Sequence, residues 1–216
     1  GGMPLFDACL HAVGTAGTGG FSSRNLSVGA YNSPYFDMVI GIFMLLFGVN
    51  FNLYYFLLIG KVRDVLRSEE LRAYFLIVAA STVTIAWNIT HLFGSFATAM
   101  RYSFFQVSSI ITTTGYATAD FNLWPSYSKV VLVLLMFVGA CAGSTGGGIK
   151  VARLVILAKM CISDMRQMLH PSAVATVRVE GRPLNVKLLR STHMFLVVYL
   201  LLMAGSTLLL SLDGFD

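Results

Sequence analysis

Residues 109–120, Ser-Ile-Ile-Thr-Thr-Thr-Gly-Tyr-Ala-Thr-Ala-Asp, carry the most suggestive chemistry in the sequence. An apolar, helix-compatible run from Tyr102 to Ile111 leads into three threonines and a glycine, and a long apolar segment begins about ten residues later. An extended Thr113-Thr114-Gly115-Tyr116 would offer carbonyl oxygens as ligands to a dehydrated cation. Gly115 permits dihedrals that a residue with a Cβ resists. The layout is that of a re-entrant loop, with a half-helix going in and an unpaired strand coming back. Non-helical backbone at membrane depth is tolerated only where it is buried in protein or lines a water-filled cavity, so this loop is expected to line a pore.

One isolated Thr-Thr-Gly-Tyr also fits a threonine-rich turn between helices. Repetition separates the two readings. A shift of 95 residues pairs Thr18 with Thr113, Gly20 with Gly115, Phe21 with Tyr116, Ser23 with Thr118, Asn25 with Asp120 and Gly48 with Gly143. A long-period internal repeat is a signal about the whole fold. Each copy holds a loop and a long apolar helix at the same distances, and two such loops would make half of a four-fold filter.

The elements that must position these loops can be read in order. Pro4 to Gly17 reads as a half-helix with a glycine-rich exit through Gly17, Gly19 and Gly20, too short for a crossing that needs about 20 apolar residues. Asp7 and His11 share one face of it, which fits a metal site or, more commonly, a hydrogen-bonded pair. After a polar stretch to Pro34, Tyr35 to Gly60 is expected as a full span in which Asn50 and Asn52 face other helices or the pore. Residues 61–72 form a charged turn, Ala73 to Phe93 a second span, and residues 94–101 an outer turn. The second half-helix is expected over 102–112, the filter over 113–116, and a third span from Val130.

That third span is broken by Gly143-Ser144-Thr145-Gly146-Gly147-Gly148-Ile149-Lys150. A glycine costs about 1 kcal/mol in a helix interior, so four within six residues predict an intramembrane loop below the filter. A phosphate-binding loop would need its lysine one position earlier, a Ser or Thr after it and a strand before it. A broken helix in an ion route fits better. Helix is expected again over 151–160, then a basic amphipathic connector to Arg190 and a last span, Leu188 to Leu212. Such an order looks like the interior of a longer polypeptide.

Composition agrees. At 56 % hydrophobic and 12 % charged residues, with mean hydropathy +0.74, the chain reads as an all-α, multi-pass membrane protein. Gly1-Gly2-Met3-Pro4 lacks a charged region followed by an apolar one, so spans rather than a secretory signal are expected to direct insertion. Twelve of fifteen Lys and Arg fall within 61–72 and 150–190, a clustering that places both stretches in the cytoplasm and the loops facing outward, and argues against nucleic acid as a partner. Cys9, Cys141 and Cys161 lack metal-type spacing and read as small core residues. No span offers a nucleophile, base and orienting group together, so an enzyme is not expected.

Gly19-Gly20-Phe21-Ser22, Gly48-Val49-Asn50-Phe51, Thr113-Thr114-Gly115-Tyr116, the run Gly139 to Lys150, and Leu169-His170-Pro171-Ser172-Ala173-Val174 together resemble the pore subunit of the Trk/Ktr/HKT superfamily of potassium uptake proteins, most closely its TrkH type. The resemblance implies four helix, pore-loop, helix repeats around one pseudo-four-fold pore in a cell (inner or plasma) membrane. Residues 1–60 would hold most of the second repeat, 61–72 a cytoplasmic turn, 73–165 the third repeat, 166–187 a cytoplasmic connector and 188–216 the first helix of the fourth. It assigns Thr18, Gly19, Gly20, Thr113, Thr114 and Gly115 to potassium binding. It assigns Gly143, Ser144, Thr145, Gly146, Gly147 and Gly148 to a gating loop, with Lys150 at its return. It further implies potassium uptake as the function, with sodium or sodium-coupled potassium transport as the alternative. The implied partners are a homodimeric mate, a cytoplasmic nucleotide-binding ring of the TrkA type and the surrounding lipid. The first and fourth filter loops, and the helix where the family carries a basic residue facing the gate, are not among these residues.

Overall fold

The computed structural model describes residues 2–170 and 177–212, in two compact units, Gly1–Val151 and Ala152–Asp216. In the first unit, α1 (Leu5–Ala16) follows Pro4, which donates no backbone N–H and so leaves one fewer orphan donor at the helix start. α2 (Pro34–Phe47) and α3 (Phe51–Leu58) come next, then α4 (Val62–Arg67) and the long α5 (Glu69–Phe93), whose first turn is capped by the Ser68 hydroxyl accepting from Leu71 N. α6 (Phe96–Ile111) and α7 (Ser126–Val138) complete the unit. α8 (Val151–Leu169), a two-residue hairpin of β1 (Arg178–Val179) with antiparallel β2 (Arg182–Pro183), and α9 (Val186–Ser211) make up the second.

α6 is the organising element of the first unit, packing along α5 and against both α2 and α7. Its buried face is largely polar, with Ser103, Gln106, Ser108 and Ser109 all enclosed. Val28, Ile40, Met44, Phe105 and Tyr116 form an apolar cluster beside it. Large apolar side chains point outward instead, among them Trp87 of α5 and Leu201, Leu202 and Leu208 of α9. In hydrocarbon such exposure costs nothing and close packing holds helices together. α5 and α9 are long and apolar enough to cross a membrane, and α2 with α3 would be a third such span were it not bent by 90°.

That bend corrects the expected continuous span over Tyr35–Gly60. At Gly48-Val49-Asn50 the helix stops, and its backbone groups are satisfied from elsewhere: Cys141 N donates to Gly48 O at 3.0 Å and Phe51 N donates to Gly143 O at 3.2 Å. Asn50 restarts the helix by accepting from Asn52 N at 3.0 Å. Four other boundaries move. The outer turn shrinks to Gly94 and Ser95, because Gly94 closes α5 with a left-handed φ of +67° and α6 then begins at Phe96. The charged turn contains α4 and ends at Ser68. The third span breaks at Gly139 rather than Gly143, where φ reaches +70°. α8 runs on to Leu169, well past Met160. Of the three cysteines only Cys141 is buried; Cys9 and Cys161 are exposed on their helices, against the core role expected of them. Pro171 to Val174 of the resemblance lie outside the described residues.

Candidate functional site

The two loops leave their half-helices by the same hydrogen bonds. Gly17 N donates to Val13 O, Thr18 N to Thr15 O and Gly19 N to Gly14 O; in the later loop Thr112 N donates to Ser108 O, Thr113 N to Ile110 O and Thr114 N to Ser109 O. Each partner is displaced by the 95 residues of the sequence repeat. The threonine hydroxyls repeat as well, Thr18 Oγ1 donating to Gly17 O and Thr113 Oγ1 to Thr112 O. Thr18 and Thr113 both take positive φ, 51° and 57°, and so do Gly20 and Gly115, 68° and 89°, while Gly19 and Thr114 do not. Alternating hands of this kind turn successive carbonyls towards one side instead of pleating them, at a cost that glycine avoids and threonine bears.

The loops thus spend their N–H groups on the half-helices and keep their carbonyls free. Among the described residues, no protein donor reaches the carbonyl oxygens of 18–20 or 113–115. The two loops also lie side by side. A Cβ built on Gly20 would stand 2.0 Å from Thr114 O, so the backbone of one loop rests against the carbonyl of the next. Tyr116, fully buried, locks them by donating to Phe21 O at 3.3 Å, and Ser109 Oγ donates to Tyr116 O at 2.6 Å.

Asp7 and His11 do not form a metal pair. The Asp7 carboxylate accepts from Ser23 Oγ at 2.6 Å and Tyr31 Oη at 2.7 Å and pairs with Arg24 at 3.6 Å. His11 Nδ1 lies 2.6 Å from Asp7 O and so carries the proton, leaving Nε2 to accept from Ser22 Oγ at 3.0 Å. Both side chains pin the chain just after the 18–20 loop. A second clamp lies between α2 and α6, where Arg101 Nε stands 3.1 Å from Asp37 Oδ2 and both side chains are largely buried. The hydrogen bond between His11 and Asp7 was legible from their spacing of four on one helix face, whereas the bonds to Ser22, Ser23 and Tyr31 and the Asp37–Arg101 pair join residues whose spacing follows no motif.

The break between α7 and α8 is a closed excursion. Ile149 N donates to Phe137 O, Lys150 N to Val138 O and Val151 N to Ala140 O, so the helix path resumes beside the point where it stopped. The loop tip reaches both of the repeated loops: Thr18 Oγ1 donates to Thr145 O at 3.1 Å, and Gly147 N donates to Thr113 Oγ1 at 2.7 Å. Its own hydroxyls need neither water nor a further helix, since Ser144 Oγ donates to Cys141 O at 2.6 Å and Thr145 Oγ1 to Phe47 O at 3.3 Å. Lys150 Nζ donates to Gly146 O, and Glu70 Oε1 accepts from Ala142 N at 2.5 Å. Sequence reading missed the Glu70 anchor; the only sign of it is an acidic residue in the first turn of α5.

The sequence model of the family described as TrkH, cation transport protein, matches residues 1–215. This chain belongs to the TrkH family. Relatives of the same kind include the Trk system potassium uptake protein TrkG of Escherichia coli K12, 37 % identical over the whole chain and 45 % of that protein. The TrkH of Salmonella typhimurium is 35 % identical, again over the whole chain and 45 % of its own length. The crystal structure of the potassium transporter TrkH from Vibrio parahaemolyticus superposes with a TM-score of 0.93 at 32 % identity, covering all of this chain and 47 % of that one. The chain therefore spans about half the length of the TrkH family members it matches, and its mostly helical fold matches that of the Vibrio parahaemolyticus structure.

Proposed function

We propose that this chain forms half of a potassium-uptake pore. The observation that carries the reading is the repeated loop backbone: two strands of alternating hand, side by side, with their N–H groups turned away and six carbonyls unclaimed. Closely spaced carbonyls left without protein partners are ligands for a cation or water, and at a membrane pore such a set replaces a hydration shell. Thr18, Gly19 and Gly20 with Thr113, Thr114 and Gly115 supply these ligands, and potassium is the cargo. The relatives this chain matches are named potassium uptake proteins, which favours potassium over the sodium reading.

Residues 143–148 act as the gate, with Lys150 holding the loop at Gly146. The remaining repeats lie in the rest of a longer polypeptide: residues 1–60 stand as most of its second repeat, 73–165 as its third and 188–216 as the first helix of its fourth. The basic stretches 61–72 and 150–190 face the cytoplasm, where a nucleotide-binding ring of the TrkA type would dock against the connector 166–187. The complete subunit works as a homodimer in the cell membrane.

Potassium and sodium flux into vesicles holding the complete polypeptide tests this. Gly20→Ser and Gly115→Ser are expected to lower the potassium-to-sodium permeability ratio, since a Cβ resists the positive φ and, at Gly20, meets Thr114 O. Unchanged ratios in both variants would remove these loops from the filter.

A further inference from the structure

We infer that the cation and the gating loop compete for the hydroxyl of Thr113, so that potassium at the inner end of the filter loosens its own gate. The inference rests on the pore reading above and adds to it a binding rule for one side chain.

Thr113 Oγ1 has a single hydrogen, and it goes to Thr112 O at 2.7 Å. What remains is two acceptor lone pairs, and Gly147 N–H takes one of them at 2.7 Å. Thr113 itself is exposed, whereas Thr114 beside it is buried. An amide hydrogen carries partial positive charge. Gly147 therefore occupies, with its N–H, a lone-pair direction that a cation at this position would use. Thr18, the counterpart in the other loop, is bound less decisively: its one hydrogen is divided between Gly17 O at 2.8 Å and Thr145 O at 3.1 Å, which leaves its lone pairs free. The two threonines thus meet the loop through opposite roles, one accepting and one donating, and only the accepting one is in direct competition with a cation.

Two states follow. With the loop seated, Gly147 holds the Thr113 oxygen, while Lys150 fixes Gly146 from the other side. With a cation on the oxygen, the Gly147 N–H loses its partner and the loop is released to the extent of that one bond. Linkage requires the converse, that a displaced loop raises the inner site's affinity for the cation by the same factor. Losing a single hydrogen bond of ordinary strength corresponds to roughly a 3- to 10-fold change in the closed population.

Hydrogen–deuterium exchange of the peptide spanning 142–150 in the complete polypeptide reads this directly, because the Gly147 amide is both the latch and the exchanging group. Exchange is compared in potassium and in choline at equal ionic strength. For the parent, potassium is expected to speed exchange roughly 3- to 10-fold. In Thr113→Val exchange is expected to be fast in both salts, and in Thr113→Ser the potassium response returns. Protection in Thr113→Val equal to the parent's, or a parent whose exchange ignores potassium, overturns the inference. Peptides from α5 check folding. If Thr113→Val loses protection there, the salt dependence of the parent and of Thr113→Ser decides alone. Potassium flux into vesicles is measured on the same samples. Absence of flux with a potassium-sensitive loop would overturn the transport reading and leave the competition standing, and flux with an insensitive loop would do the reverse.

Discussion

Tyr116 donates its hydroxyl to the carbonyl oxygen of Phe21, the residue that stands 95 positions earlier in Tyr116's own place in the preceding repeat. One repeat is thus fastened to its neighbour through the equivalent point of each. The same hydroxyl would lie 2.3 Å from a Cβ on Gly14, so the half-helix α1 keeps a glycine where α6 carries Ser109.

Tyr116→Phe is therefore expected to loosen the alignment of the loops at 18–20 and 113–115 at a modest cost, about 1 kcal/mol. Gly14→Ala should cost more, because a fully buried ring cannot move aside freely. Thermal unfolding and the potassium-to-sodium permeability ratio of the complete polypeptide check both. A Gly14→Ala protein as stable and selective as the parent would contradict the wedge.

The Asp37–Arg101 pair joins α2 to α6 with the carboxylate side chain 3 % exposed and the guanidinium side chain 19 % exposed. Removing either partner alone leaves a buried charge, at a cost of roughly 3–5 kcal/mol. The double replacement Asp37→Leu with Arg101→Met is expected to be less harmful than either single change. A double-mutant cycle by thermal unfolding measures this, and additive losses would show that the pair is not coupled.

Deleting Ser144 to Gly147 is expected to raise basal cation flux, since the deletion removes the tip that touches Thr18 and Thr113. The neck bonds of Phe137, Val138 and Ala140 with Ile149, Lys150 and Val151 lie outside the deletion and can still join α7 to α8. Vesicle uptake normalised to folded protein decides. A well-folded deletion with unchanged or lower flux would assign the stretch to helix packing.

Orientation follows from charge. Leu66→Cys, exposed on α4, is expected to react with an impermeant thiol reagent only from the cytoplasmic side, and Ser126→Cys, exposed at the start of α7, only from outside. Labelling of intact cells measures both, and reaction of Leu66→Cys from outside would invert the topology.

The sequence by itself determined whatever is written in local pattern. Hydropathy marked the long helices α5 and α9, glycine clusters marked both loops and the break before Lys150, and the 95-residue repeat announced that 18–20 and 113–115 share one backbone. These survive because helix length, glycine content and period are properties of neighbouring residues. The pairing of Gly48 with Gly143 even carried a hint of the bend in α2–α3, yet three residues with a single glycine do not stop an apolar helix on propensity alone. Only the tertiary structure decided that they do, because the donors that satisfy the interrupted backbone, Cys141 N above all, come from another repeat. The same holds for the Tyr116–Phe21 lock, the Asp37–Arg101 clamp and the grip of Thr18 and Thr113 on the 143–148 loop. Hydrogen-bond partners brought together across repeats leave no period in the chain, and it is packing at the repeat boundary that selects them.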